Sequence, residues 1–318
     1  MNSQAQPGGR SRMRVLVTGA TGVLGRGVVG ELANAGHQVS GVARTADKAA
    51  WLRECNVEPV TVDLFDGSAV KNAVAGSDAV LHLATSIPAL KDVPKQHAWD
   101  TNNRLRTLTT RLLVDAALDH GVGTFIAESI TFPYPDRGAE WIDETVPFVD
   151  DELIHAVIDL EAEVARFSEH GGRGIALRFG AFYGPDARGV DELLGIARRG
   201  IAPYLGSPEA YMSSIHTDDA ARAVVAALDA SSGEYNVCDE PMTRRNVADA
   251  FAAAFGLKRQ RFVPGFAQRI ATRGRGDALL RSQRVSNAKL RSAVGWAPEF
   301  PNAQVGFVDV ATRKGQHS

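Results

Sequence analysis

Apolar positions along this chain follow two patterns that take turns. Short unbroken runs, such as Val15-Leu16-Val17, Ala79-Val80-Leu81 and Phe125-Ile126-Ala127, suit strands covered on both faces. Between such runs apolar residues recur at helical spacing: Val23, Leu24, Val28, Val29 and Leu32, then Leu105, Leu108, Leu112 and Leu113. The pattern predicts strands at 14–18, 38–43, 57–62 and 79–83, a fifth starting at 125, and a sixth at 174–179. Helices are predicted at 23–35, 66–75, 96–119 and 152–169. Strands alternating with helices imply an α/β fold built on a doubly wound parallel sheet. After residue 180 the segments shorten and glycine and proline become denser, with helices expected at 190–199, 218–229 and 244–255 and a strand at 235–237. The expected organisation is a leader at 1–12, a main sheet domain at 13–180 with 215–240 returning to it, a smaller C-terminal lid from 181–214 and 241–312, and a tail at 313–318.

The first strand runs into Thr18-Gly19-Ala20-Thr21-Gly22-Val23-Leu24-Gly25 and then into a helix. Glycine at 19 permits a sharp turn, at 22 a close approach of backbone to a ligand, and at 25 tight packing of helix on strand. A helix starting here aims free N–H groups and its positive dipole end at a pyrophosphate. Gly19, Thr21, Gly22, Val23, Leu24 and Gly25 are therefore candidate dinucleotide-binding residues. Arg44 follows the second strand, where an acid would hold a ribose 2′-hydroxyl and an arginine instead suits a 2′-phosphate. The site is thus expected to prefer NADP(H) over NAD(H), with Arg26 assisting. Asp63 and Leu64 follow the third strand; the Asp63 carboxylate suits either an adenine amino group or a turn. Leu83, Ala84 and Thr85 close the fourth strand, where small residues let a cofactor pass.

The formal net charge of −2 leaves no broad basic field for nucleic acid or an anionic membrane. No apolar run approaches the roughly 18 residues that cross a bilayer. Cys55 and Cys238 make neither a disulfide framework nor a metal-ligand spacing, which suits a reducing, cytoplasmic setting. Residues 1–12 lack the apolar centre of a signal peptide and read as a disordered leader. Arg269, Arg273, Arg275, Arg281 and Arg284 suit either a solvated surface or a site for a diphosphate or carboxylate. Arg104, Arg106 and Arg111 are expected on the outer face of the 96–119 helix.

Over roughly residues 14–300 the chain resembles the extended short-chain dehydrogenase/reductase superfamily, the group of NAD(P)-dependent epimerases, dehydratases and reductases. The resemblance rests on the glycine turn, Asp63-Leu64, His82-Leu83-Ala84, Asn103 with Thr107, Arg178-Phe179 ahead of Tyr183-Gly184-Pro185, and Ile215-His216-Thr217-Asp218-Asp219-Ala220. It implies a Rossmann fold, a nicotinamide cofactor, a small-molecule substrate and a homodimer joined through the helices at 96–119 and 152–169. It also implies a catalytic Ser or Thr after the fifth strand and a Tyr-x-x-x-Lys on the next helix.

Ser129 matches the first of these positions. The second is absent from the chain: His155 stands in the Tyr position and Asp159 in the Lys position. An Asp would raise a tyrosine's pKa where the lysine lowers it, so the usual proton transfer cannot run here. Histidine titrates near neutrality, and residues four apart share a helix face, so Asp159 can orient His155. Ser129, His155 and Asp159 are the candidate acid–base set, with Tyr134, Tyr183 and Tyr211 as alternative donors. The expectation is an atypical NADP(H)-dependent oxidoreductase acting on a carbonyl or hydroxyl group. A non-catalytic nucleotide-binding sensor or scaffold, and a non-redox lyase, isomerase or cyclase, stand beside it.

Overall fold

A computed structural model describes residues 12–89, 92–93, 95–149, 155–271 and 277–316. The strands in chain order are β1 (Arg14–Thr18), β2 (Gln38–Val42), β3 (Glu58–Val60), β4 (Ala79–His82), β5 (Thr124–Ile130), β6 (Trp141–Ile142), β7 (Arg173–Phe179), β8 (Ala181–Tyr183), β9 (Tyr211–Met212), β10 (Ser214–His216), β11 (Gly233–Val237), β12 (Met242–Thr243) and β13 (Arg284–Val285). Seven of them form one sheet in the order β11-β7-β5-β4-β1-β2-β3. Every pairing in it is parallel, with Val17 beside both Gly41 and Leu81, and Ala127 beside both His82 and Ala176. The strand order reverses between β1 and β4, which opens a crevice at their carboxyl ends.

Helices cover both faces, as the unbroken apolar strands require. On one face α1 (Val23–Asn34), α2 (Ala46–Glu54) and α8 (Thr217–Ala226) pack Val28, Val29, Leu32, Leu52 and Val224 against Val15, Val17 and Leu81. On the other, α3 (Gly67–Val74), α5 (Thr110–Asp119) and α6 (His155–Glu169) pack Val70, Val74, Leu113, Leu160 and Phe167 against Leu16, Val80 and Phe125. Each fully buried aliphatic side chain contributes roughly 1.5–3 kcal/mol relative to exposure. A third apolar cluster joins α7 (Arg188–Ala197), α9 (Arg244–Ala254) and the C-terminal helix α13 (Ala303–Gly315) through Val190, Phe251, Phe307 and Val310. The remaining helices are α10 (Gly265–Ala271), α11 (Asp277–Leu280) and α12 (Ala288–Val294).

The stretch expected as one helix over 96–119 is divided. A 3-10 turn (Gln96–Trp99) leads into α4 (Asp100–Arg104), then a π turn (Leu105–Thr109), then α5. The π turn inserts an extra residue per turn and rotates the helix beyond it. This corrects two expectations. Arg106 is not on the outer face but buried at 2% exposure, whereas Arg104 and Arg111 are exposed. Leu108, expected in the apolar stripe, is turned outward at 37%. The π turn is held by His82, whose Nε2 donates to the Leu105 carbonyl at 3.0 Å while its Nδ1 accepts from the Thr18 hydroxyl at 2.7 Å. The Thr110 hydroxyl donates to the same carbonyl at 3.3 Å. Burial lowers His82 to about 4, so it is a neutral packing group rather than an acid.

Candidate active site

The glycine turn is built as close backbone contact. Gly19 adopts a φ of 72°, and its carbonyl accepts from the Gly22 N–H at 2.8 Å. A Cβ at Gly19 would stand 2.3 Å from the Leu83 carbonyl oxygen, and one at Gly25 would stand 2.1 Å from the Gly19 carbonyl oxygen. Side chains at either place would push β1, β4 and α1 apart. Asp66, Thr45, Thr243 and Asn302 cap α3, α2, α9 and α13 with their side chains. Helix α1 begins at Gly22 with no side-chain cap. Its first-turn N–H groups therefore face the crevice, next to the exposed Gly22 and the half-buried Thr21 and Val23. An anionic group such as a pyrophosphate fits this arrangement. Leu24 is buried beneath it.

Arg44 is exposed immediately after β2 and its neighbour Ala43. Arg26 reaches from α1 to lie 4.9 Å over the Trp51 ring, with its Nε 3.4 Å from the Thr21 carbonyl. Asp63 accepts from the Phe65 N–H at 2.9 Å, so one of its oxygens shapes the loop after β3. Leu64 is tied to the long helical stretch, its carbonyl accepting from the Thr109 hydroxyl at 2.9 Å. Beyond the buried Leu83, Ala84 and Thr85 are half-buried at the crevice. The chain then passes Ser86, whose N–H donates to Asn102 Oδ1 at 3.0 Å.

The members of the expected acid–base set differ in burial and in partners. Ser129 is fully buried and donates to Glu161 Oε1 at 2.5 Å. Glu161 is gripped by the Arg178 guanidinium at 2.9 and 2.6 Å, and Arg178 also donates to the Tyr134 hydroxyl at 2.7 Å. Tyr134 in turn donates to Asn236 Oδ1 at 2.9 Å. The Phe148 ring covers Arg178 at 4.0 Å. His155 and Asp159 lie on α6 with side chains about half exposed, at 54% and 47%, and an Nε2–Oδ1 separation of 3.7 Å.

The alternative tyrosines differ in availability. Tyr134 is sealed, and burial pushes its hydroxyl up to about 12. Tyr183 is buried and donates to Asp239 at 2.9 Å, and burial raises it further still. Tyr211 is partly exposed beside Arg284, which is 5.1 Å from its ring and 4.1 Å over Trp141. Arg284 therefore lies on an aromatic platform, and Arg281 reaches the Phe132 carbonyl at 3.4 Å. Arg273 and Arg275, and the side chain of Arg269, lie outside the described residues. Among the described residues no cluster of His, Cys, Asp and Glu could hold a metal ion, and no helix is long and apolar enough to cross a membrane.

The profile of the NAD dependent epimerase/dehydratase family matches residues 15–238. The chain belongs to this family. Within it, the chain is 34% identical over 310 residues to 3-diazoavenalumate denitrifying reductase from a Streptomyces species, covering 93% of this chain and 99% of that protein. It is 28% identical to 2-alkyl-3-oxoalkanoate reductase of Stenotrophomonas maltophilia, over 78% of this chain and 77% of that one. The fold is similar to the crystal structure of the human epimerase family protein SDR39U1 with NADPH, at a TM-score of 0.77 and 23% identity over 94% of this chain and 99% of that one. No Tyr-x-x-x-Lys stands anywhere in the sequence.

Sequence reasoning did not single out Arg106, Glu128, Glu161 with Arg178, or Asn236 as site residues. An arginine and a glutamate ending up buried at the end of a sheet is a tertiary fact. The available signal was weak: Glu128 interrupts an otherwise apolar strand, Phe125-Ile126-Ala127, just before Ser129.

Proposed function

We propose that the chain is an NADP(H)-dependent reductase whose substrate accepts a hydride without needing a tyrosine as proton donor. The observation that carries this reading is the pairing of an intact dinucleotide turn with a dismantled acid–base pair. Gly19, Gly22 and Gly25 leave the space and the free helix N-terminus that a pyrophosphate needs. Arg44, with Arg26 held near by, is suited to a 2′-phosphate, while Leu83, Ala84 and Thr85 leave a passage along the end of β4 and Asp63 and Leu64 border the adenine side.

A reduced nicotinamide bound here would supply hydride; hydride displacing dinitrogen from a cationic diazonium carbon (C–N2+ + H− giving C–H + N2) consumes no proton, whereas carbonyl reduction consumes one. The first demand suits a chain in which Ser129 is committed to Glu161, Tyr134 is sealed, and no lysine lies on α6 to lower a donor's pKa. The name of the 34% identical relative, a denitrifying reductase acting on a diazo compound, points to the same class of substrate. A carbonyl substrate is the second reading, favoured by the retained His155–Asp159 pair. In that case His155, oriented by Asp159, protonates the oxygen.

Purified protein with NADPH should convert 3-diazoavenalumate to its denitrified product, with equimolar NADPH consumed, and His155→Ala should keep that activity. Reduction of a 2-alkyl-3-oxoalkanoate that is abolished in His155→Ala would support the carbonyl reading instead. Tight NADPH binding without turnover of either substrate would leave a sensor. Proton exchange without NADPH consumption would indicate a lyase or isomerase.

A further inference from the structure

Glu128 stands in β5 directly before Ser129. Neighbouring side chains on a strand point to opposite faces. Ser129 turns to α6, so Glu128 turns to the other face, the one covered by α1 and α8. It lies across from Leu177 of β7, at the level of Leu83 beyond β4, both in the cluster packed against α1 and α8. The residue is 6% exposed, and its carboxylate accepts no hydrogen bond and joins no ion pair among the described residues. Its oxygens are not among the sealed unpartnered atoms, and β5 brings the residue to the carboxyl end of the sheet.

The charged groups around it are few. From the π turn comes Arg106, whose Nε, Nη1 and Nη2 are all sealed and unpartnered. It acts on Glu128 through space. His82 of β4, held neutral by burial, is in register with Ala127 and turns to the α6 face. Glu161 of α6 is occupied by Arg178 of β7, on the opposite face. A buried carboxylate without a hydrogen bond, near a buried guanidinium that also has none among the described residues and feels both Glu128 and Glu161, is an unfinished interaction. In a sheet of this order a dinucleotide spans the carboxyl ends on either side of the switch between β1 and β4. With its adenosine half toward β2 and Arg44, its other half extends over β4 and β5.

We propose that Glu128 is the cofactor-facing carboxylate of this site: ionised, it favours the oxidised, positively charged nicotinamide, and protonated, it favours the reduced, neutral one, with Arg106 behind it setting the balance. This rests on the dinucleotide reading above. Burial pushes Glu128 up to about 7, and Arg106 draws it down, so both forms are accessible near neutral pH. Binding and ionisation are then linked: the oxidised cofactor must lower the proton affinity of Glu128, and proton loss must tighten the oxidised cofactor by the same factor.

The test is binding, not turnover. NADPH is titrated by fluorescence and NADP+ by competition, from about pH 5.5 to about pH 8.5. The phosphates are common to both nucleotides, so the ratio of their dissociation constants isolates the ring. With the wild-type chain the ratio Kd(NADP+)/Kd(NADPH) should fall by about threefold or more as pH rises. Glu128→Gln should give a flat ratio near the low-pH value, and Arg106→Met should move the midpoint to higher pH. A flat wild-type ratio with both nucleotides bound would overturn the proposal and leave the dinucleotide reading standing. So would a slope that Glu128→Gln leaves unchanged. Binding of neither nucleotide at any pH would remove both.

Discussion

Burying the Arg106 guanidinium with no hydrogen-bond partner among the described residues is costly, because none of them replaces the water it gives up. Burial accordingly lowers its pKa. Arg106→Met keeps the volume and removes the cost, so the variant should be more stable than wild type in urea unfolding at about pH 5.5, where Glu128 holds its proton and is not stranded. A destabilised variant would mean that the guanidinium has a structural partner. Glu128 and His82 make opposite pH-dependent contributions. Glu128 rises from 4.5 to about 7 on folding, so between those values the folded chain holds a proton that the unfolded chain has lost, and stability falls as pH rises. His82 drops from 6.5 to about 4, so over that window stability rises with pH. Each contribution amounts to about 3 kcal/mol, and they nearly cancel where the windows overlap. Glu128→Gln should leave the His82 slope exposed: its Tm should climb relative to the wild-type Tm from about pH 4.5 to 6.5. Equal profiles would contradict the burial of Glu128.

At the scale of elements, β5, β7 and α6 are joined at their site end by Ser129, Glu161 and Arg178. The ion pair is about nine-tenths buried on both sides. Glu161→Ala should cost about 3–5 kcal/mol, because it strands the Arg178 charge, and adding Arg178→Met should recover part of the loss. Denaturant midpoints of the two variants check this, and a single variant near wild type would mean that water reaches Arg178. The main elements were legible from the chain because a parallel sheet demands apolar strands, and helices between strands show their period plainly. Gly19, Gly22 and Gly25 were legible because each marks a place where backbone meets backbone. The π turn was not. Leu105–Thr109 has an ordinary helical composition, and its cause is a histidine 23 residues away in sequence that claims the Leu105 carbonyl. That is why Arg106 was expected outside and lies inside. Ser129 was found by its position after β5, but its commitment to Glu161 depends on a partner 32 residues on.

At the scale of the whole molecule, a crevice at the β1/β4 switch lies beside the uncapped start of α1. A ligand that binds only the folded chain stabilises it, by about 2.7 kcal/mol at a hundred times its dissociation constant. NADPH at that excess should raise Tm by about 2–4 °C or more. NADH at the same concentration should do less, and Arg44→Asp should erase the difference. Equal stabilisation by NADPH and NADH in the wild-type chain would remove Arg44 from the account. The measurement that reaches furthest uses NADPH deuterated at the transferable position of the nicotinamide, with 3-diazoavenalumate as substrate and mass spectrometry of the product. The account predicts one deuterium on the carbon that loses dinitrogen, in the wild-type chain and in His155→Ala alike. Product without deuterium, or no product from a chain that binds NADPH tightly, would contradict it.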